Sequence, residues 1–252
     1  EVIDETSQAS ILKYKNNFDM AEKSKNSEIS NPPAPDHART NKNALIKKPT
    51  RTYSSPQPAG DSDSHAAALA GTASTLSQLR LSMEKFDECS LKHTAINLVF
   101  SDGNPRARVM FIGEAPGMEE DRRGIPFVGA SGQLLDRMIG AIGLDRSNTY
   151  ITNIIPWRPP GNRKPTTQEI ITCLPFVHRH IQLVNPEILV LVGGTAANAL
   201  LERTESISRL RGKWLVYREN NREDCTELPT ISIYHPAYLL RHPAGKRETW
   251  RD

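Results

Sequence analysis

The sequence has few cysteines and no long apolar run. Its 252 residues include 3 Cys, at positions 89, 173 and 225, which are too few and too widely spaced for the disulfide framework of a small secreted domain. Every apolar stretch is shorter than the roughly 18 residues that a membrane-spanning helix needs, and the N-terminal residues lack the basic-then-apolar order of a secretory signal. We therefore expect a cytoplasmic protein that does not bind a membrane.

Large hydrophobic side chains are scarce in the first part of the chain. Hydrophobic residues make up only 37% of the sequence. The segments Asn31–Pro35 and Ser54–Pro58 break any helix, and Ser, Asn and Lys fill the space between them. This composition predicts a flexible extension over residues 1–63 and one folded domain over residues 64–252. Within the extension, residues 10–25 could instead form a short amphipathic helix that docks on a partner.

A large excess of charge of either sign is also absent. The chain has 32 Lys+Arg and 29 Asp+Glu, for a net charge of +3, which excludes a uniformly basic surface. Basic residues do gather locally, at Arg158–Lys164, Arg203–Lys213 and Arg241–Arg247. Each segment alone is typical of a solvated surface, but three of them at one edge of a sheet would suit a phosphate backbone.

From about residue 106 the sequence alternates between apolar runs and helical patterns. Strands are predicted at Val109–Ile112, Thr149–Ile155, Ile188–Val192 and Thr230–Tyr234, and helices at 64–86, Leu134–Ile142, Thr166–Val184 and Ala196–Leu201. Runs such as Ile-Leu-Val-Leu-Val are apolar on both faces, as parallel strands covered by two layers of helices must be. The predicted fold is a three-layer α/β/α domain with a mostly parallel sheet of about four strands.

Small and polar residues follow each predicted strand. Gly113–Asp121 follows the first, Asn153 ends the second, Gly193–Thr195 follows the third, and His235–Arg241 follows the fourth. Ligands bind beyond the carboxyl ends of parallel strands, so we expect a site at this edge. The motifs GxGxxG, GxxxxGK[ST] and GxSxG are absent, which disfavours a dinucleotide site, an NTP site and a serine hydrolase.

Several residues at this edge also have a plain structural interpretation. Glu119–Asp121 is either a solvated acidic turn or a source of a carboxylate that orients water. Asn153 is either a turn former or an amide that donates and accepts at once, which suits the edge of a uracil-like base. Phe127 is either a core aromatic or a stacking platform, and His235 either a structural histidine or a group that stabilises a leaving anion.

Together these segments resemble the uracil-DNA glycosylase superfamily, and within it the family 4 branch, over about residues 86–252. The motifs that carry the resemblance are Gly-Glu-Ala-Pro-Gly with Glu-Glu-Asp (113–121), Gly-Ile-Pro-Phe-Val-Gly (124–129), Tyr-Ile-Thr-Asn (150–153), Arg-Pro-Pro-Gly-Asn-Arg (158–163), Arg-Gly-Lys-Trp (211–214) and His-Pro-Ala-Tyr-Leu-Leu-Arg (235–241). Each motif is weak alone, but their order and spacing make the combination specific.

The resemblance implies a role for each matching residue. Phe127 would stack on a flipped uracil, Asn153 would bind its edge, and His235 would stabilise the uracil anion at O2. Glu114 and Glu120 are the candidates for placing the attacking water. The resemblance also implies a substrate loop of Gly113, Ala115, Pro116 and Gly117, and DNA contacts by Arg158, Arg163, Arg211, Lys213, Pro236, Tyr238, Leu239 and Arg241. Of these, the segment Pro236–Arg241 would wedge into the duplex as the base leaves the stack.

One departure from the family concerns its usual cofactor. Family 4 members usually hold a [4Fe–4S] cluster on four cysteines, and the matching positions here are Phe86, Cys89, Trp157 and Cys173. Since only two thiols remain, we expect no metal cofactor, with the two aromatic rings filling the space and the two cysteines as ordinary buried thiols. Cys225 lies outside this register and is expected to be a loop thiol.

The sequence thus predicts a monomeric enzyme that removes uracil from single- or double-stranded DNA and leaves an abasic site. The alternative is a glycosylase-like module that binds DNA during replication or repair without cleaving it.

Overall fold

The computed structural model describes residues 61–218 and 227–252. All of them lie in the structural unit that spans Ser55–Asp252. The interpretations of residues 1–60, including the helix considered at 10–25, and of Cys225 fall outside the described residues. The division into a flexible extension and one domain therefore stays a prediction.

The described part of the chain alternates strands and helices as the sequence predicts. Helices α1–α9 are Asp61–Thr72, Leu76–Lys85, Met118–Arg123, Ala130–Gly140, Thr167–Val184, Gly194–Leu201, Ile207–Leu210, Pro236–Arg241 and Gly245–Thr249. Strands β1–β6 are Asp102–Gly103, Val109–Gly113, Thr149–Asn153, Ile188–Val192, Trp214–Tyr217 and Leu228–Ile233. Short 3₁₀ helices cover Ser90–His93 and Pro160–Asn162.

The strands form one sheet in the order β1-β3-β2-β4-β6-β5. The four central strands are parallel, which confirms the predicted mostly parallel sheet. Strands β1 and β5 pair antiparallel at the two edges, and the sequence analysis missed them. They have only two and four residues, too few for a recognisable apolar pattern.

Helices cover both faces of the sheet. Met110 and Ile112 pack in one buried cluster with side chains of α1, α2 and α5. Phe111, between them in sequence, packs on the opposite face with Leu135 and Ile139 of α4. Successive strand residues point to opposite faces, so a strand that is apolar throughout requires helices on both sides. The three-layer α/β/α prediction is confirmed.

The helical segment before the sheet differs from the prediction of one helix over residues 64–86. The chain forms α1 and α2 with a break between them, and both helices pack against α5. Thr75 ends the break, because its hydroxyl accepts the backbone N–H of Gln78 at 3.2 Å and caps α2. Within residues 61–218 and 227–252, no helix is both long and apolar enough to span a membrane.

Candidate active site

The carboxyl ends of the four parallel strands meet at one edge of the sheet, where a cavity of about 870 Å³ opens. Segments that are far apart in sequence come together around it. The predicted site residues that line it are Glu114, Ala115, Pro116, Gly117, Glu120, Phe127, Asn153, Arg163, His235, Tyr238 and Arg241. The predicted residues outside the lining are Gly113, Arg158, Arg211, Lys213, Pro236 and Leu239.

Gly113 and Asn153 end two adjacent strands and are direct partners in the parallel register. A Cβ atom at position 113 would overlap both the side-chain oxygen of Asn153 and the ring of Phe127. Only glycine therefore lets the amide and the ring approach each other here. Asn153 is 4% exposed, and its Oδ1 is buried without a hydrogen-bond partner among the described residues.

The ring of His235 lies 5.8 Å from that of Phe127, at an interplanar angle of 30°. Its Nδ1 accepts the backbone N–H of Ala237 at 3.1 Å, so the proton of the neutral ring is on Nε2. Burial lowers the pKa of His235; the negative charge of Glu114 opposes this shift and the positive charge of Arg241 adds to it. His235 is thus a neutral donor at pH 7.

Glu114 follows β2 and lines the cavity. The hydroxyl of Thr195, near the start of α6, donates to its Oε2. In the sequence, Thr195 stands out only as part of the segment that follows β4. Its pairing with Glu114 follows from β2 and β4 being neighbours in the sheet, which no local motif reveals. This hydrogen bond fixes the orientation of the carboxylate at the cavity wall.

Glu120 has both carboxylate oxygens engaged by the backbone. Oε2 accepts the N–H of Gly117 at 3.1 Å, and Oε1 accepts those of Val128 and Gly129 at 2.9 and 2.7 Å. The side chain thus joins two loops that border the cavity. Three backbone N–H groups already hold the Glu120 carboxylate in place, which favours a structural role for Glu120 and leaves Glu114 as the better candidate for placing the water.

The residues that surround this cavity lie in a segment that matches a known protein family. The family model described as "Uracil DNA glycosylase superfamily" matches residues 100–252. The chain belongs to the uracil-DNA glycosylase superfamily.

Curated relatives narrow the likeness to one branch of this superfamily. The chain is 41% identical over 170 residues to the Type-4 uracil-DNA glycosylase of Archaeoglobus fulgidus, covering 66% of this chain and 83% of the relative. It is 39% identical over 174 residues to that of Sulfurisphaera tokodaii, covering 64% and 77%. It is 35% identical over 168 residues to that of Thermotoga maritima, covering 65% and 82%.

Two of the basic residues expected to bind DNA in this glycosylase-family domain are held by ion pairs. The guanidinium of Arg163 donates to both oxygens of Glu169 at 2.9 and 2.6 Å, and this hydrogen bonding lowers the pKa of Glu169 to about 2. The guanidinium of Arg211 donates to both oxygens of Asp252 and is only 17% exposed. Arg211 thus anchors a segment of the fold, which disfavours the phosphate contact expected for it and favours exposed residues such as Lys213. Arg163 is 44% exposed and lines the cavity, so its phosphate contact stays a prediction.

The expected wedge helix α8 shows a second correction. Pro236 and Leu239 are buried, Leu239 at 1% exposure beside Leu134 and Tyr234, so neither can insert into a duplex. The side chains of α8 that face solvent are instead Leu240, at 41% exposure, and Tyr238, at 37%.

The positions that match the family's cluster ligands lie inside one buried apolar cluster. Phe86, Cys89, Trp157 and Cys173 are each at most 2% exposed and belong to the same core. The two thiols lie 3.9 Å apart, and the interaction with Cys89, with burial, raises the pKa of the Cys173 thiol. The ring of Phe86 packs edge-on at 5.1 Å against Phe176.

These residues do not fit a [4Fe–4S] cluster. Such a cluster needs four thiolates, and this corner offers two thiols, with aromatic rings at the other two positions. Elsewhere in residues 61–218 and 227–252, no group of three or more His, Cys, Asp or Glu side chains is arranged to hold a metal ion.

Proposed function

We propose that the protein is a uracil-DNA glycosylase, which hydrolyses the N-glycosidic bond of deoxyuridine in DNA and leaves an abasic site for base excision repair. The observation that carries this proposal is the buried Asn153 Oδ1, which has no partner in the described part of the chain and lies in the same cavity as Phe127 and His235. A buried acceptor without a donor is costly unless a ligand supplies one. The N3–H of uracil is such a donor.

Base selection follows from the chemistry of the Asn153 amide. Its Oδ1 accepts from uracil N3–H while its Nδ2 donates to uracil O4. Cytosine has an acceptor at N3 and an amino donor at C4, so both hydrogen bonds would be lost. A site with buried polar groups discriminates strongly against a base that leaves those groups unpaired.

Bond cleavage places negative charge on the leaving base. The C1′–N1 bond breaks with its electron pair passing to uracil, and the neutral His235 donates from Nε2 to O2, where the charge gathers. Water then forms the new C1′–O bond. Glu114, oriented by Thr195, holds this water and receives its proton.

The base must leave the stack before it can reach the cavity, at a cost of a few kcal/mol. We assign the wedge to the exposed Leu240 and Tyr238 of α8 rather than to Leu239. Exposed basic residues near the cavity edge, Arg241 and Lys164 in its lining and Lys213 beyond it, supply contacts to phosphates. Whether the enzyme acts as a monomer in the cytoplasm stays a prediction.

We also propose that the enzyme works without an iron–sulfur cluster. The misfit of Phe86 and Trp157 to the ligand set supports this. Protein purified anaerobically should contain no stoichiometric iron and no visible cluster absorbance. A Phe86→Cys/Trp157→Cys double variant, reconstituted with iron and sulfide, restores four thiols and serves as the positive control. Stoichiometric iron in the wild type would refute the proposal.

The activity test uses a uracil-containing oligonucleotide followed by alkali, which cuts the strand at abasic sites. We expect scission by the wild type, strong loss in Asn153→Ala and His235→Ala, and no loss in His93→Ala, which changes an exposed histidine outside the cavity lining. Tight DNA binding with no abasic product would identify a non-cleaving module and overturn the proposed enzyme.

A further inference from the structure

We propose that Arg146, which lies outside the cavity lining, is a positioning residue that holds the uracil-stacking ring of Phe127 in place. This inference rests on the proposed function, because it assigns a residue to the same pocket. Arg146 lies in the turn between α4 and β3, 19 residues from Phe127 in sequence. No motif in the sequence points to this residue.

The guanidinium of Arg146 binds the two backbone carbonyl groups that flank the Cα atom of Phe127. Nη1 donates to the carbonyl oxygen of Pro126 at 3.1 Å, and Nη2 donates to that of Phe127. Two consecutive carbonyls are therefore fixed by one rigid planar group, which suits the fork of donors that arginine presents.

Two carboxylates hold the guanidinium itself. Nη1 donates to Asp102 Oδ2 at 2.6 Å and Nε to Asp136 Oδ1 at 2.9 Å. Asp102 belongs to the edge strand β1 and Asp136 to α4. The Arg146 side chain is only 25% exposed, so its contacts tie the Phe127 turn to two regular elements of the fold.

The turn at Phe127 needs such support, because its backbone has φ 54°. This left-handed conformation is unfavourable for a residue with a side chain and persists only where its surroundings impose it. On the other side of the turn, Glu120 accepts the N–H groups of Val128 and Gly129. A cation thus holds the carbonyls and an anion holds the amides of one short segment.

A small shift of this segment would reach the reacting base. Phe127 is 5% exposed, and its ring contacts Gly113 at the end of β2 and lies near the ring of His235. These contacts leave the ring no room to move without changing the space for uracil. Since misplacement by about 1 Å can cost roughly 100-fold in rate, loss of the Arg146 contacts should appear in the chemical step.

The experiment compares Arg146→Gln and Arg146→Lys with Arg108→Gln, which removes a surface ion pair to Glu187. Single-turnover excision of uracil should fall about 10- to 100-fold in Arg146→Gln, with little change in affinity for abasic product DNA. Arg146→Lys keeps the charge but cannot bond both carbonyls and both carboxylates, so it should also be slower than wild type. Arg108→Gln should match the wild type.

A double-mutant cycle separates positioning from general structural damage. If Arg146 acts through Phe127, then Arg146→Gln should lower the rate by less than about 2-fold when Phe127 is already alanine. Equal losses in both backgrounds, or a wild-type rate in Arg146→Lys, would overturn the inference. Absence of uracil excision by the wild type would instead refute the proposed function, so the two failures are distinguishable.

Discussion

Two buried regions of this domain differ in polarity: the cavity edge contains a polar atom without a partner in the described residues, and the corner around Phe86 and Trp157 is apolar. At the cavity edge, Asn153 keeps a buried oxygen without a partner in the described structure, and Gly113 permits a close approach of Asn153 and Phe127 that any side chain would prevent. At the corner of Phe86, Cys89, Trp157 and Cys173, bulky apolar side chains are fully buried. On the proposed function, bound uracil would relieve the unfavourable feature at the cavity, whereas the corner is filled by ordinary core packing.

The largest expected effect tests the corner. Trp157→Ala removes a side chain that is 2% exposed, and such truncations cost about 3–5 kcal/mol. Urea unfolding should show this loss, while the excision rate per folded molecule stays near wild type. Trp250→Ala, at a position 75% exposed, should leave the free energy of unfolding unchanged. A selective loss of excision in folded Trp157→Ala would mean that the two regions are not independent.

The next effect tests the cavity. The added Cβ of Gly113→Ala overlaps Asn153 and Phe127, so excision should fall roughly 100-fold through misplaced groups. Gly140→Ala is the matched control, because its Cβ meets no atom within 4 Å. That variant should keep full activity and gain up to about 1 kcal/mol in unfolding free energy. Full activity in Gly113→Ala would contradict the close approach of Asn153 and Phe127 at Gly113.

His180 is an exception to this difference, because it is a buried polar residue that packs against Phe100 and Tyr150 of the apolar cluster that contains Phe86 and Trp157. Within the described residues its Nε2 has no hydrogen-bond partner, and burial lowers its pKa to about 3. Between pH 6.5 and about pH 3, His180 binds a proton in the unfolded chain but not in the folded chain, so the free energy of unfolding falls as the pH is lowered. From pH 6 to 4 the wild type should lose about 1.4 kcal/mol per pH unit more than His180→Phe, as measured by urea unfolding. Equal pH dependence would show that His180 is protonated in the fold.

The smallest expected effect is that of Leu240→Ala, and its buried neighbour Leu239 provides the contrast. Leu240→Ala should leave stability unchanged but slow excision from duplex DNA a few-fold, with no effect on single strands, because only a duplex needs a wedge. Leu239→Ala should instead cost about 2–5 kcal/mol in stability. Equal slowing on both substrates in Leu240→Ala would remove the wedge assignment.

Much of the fold could be predicted from sequence because its signals are local. The apolar runs at Val109–Ile112 and Ile188–Val192 locate central strands, and the residues after them locate the cavity edge. The pairing of Arg211 with Asp252, and of Arg146 with the Phe127 turn, depends on where segments distant in sequence meet, which composition and motifs do not specify. The Leu239 assignment failed because the boundary of α8 decides which leucine faces inward, and helix phase is poorly defined in a six-residue helix.

Leu239 and Leu240 point in opposite directions from one short helix, and this has a mechanical consequence. Leu239 is fixed between Leu134 and Tyr234, so the position of Leu240 is set before any DNA arrives. On the proposed wedge role, a duplex pressing on Leu240 would be resisted by the contacts of Leu239 with α4. The protein would therefore lose little conformational entropy when the base leaves the stack. The rate at which the base enters the cavity would then depend on how firmly it is paired in the DNA, and not on the motion of a loop of the enzyme.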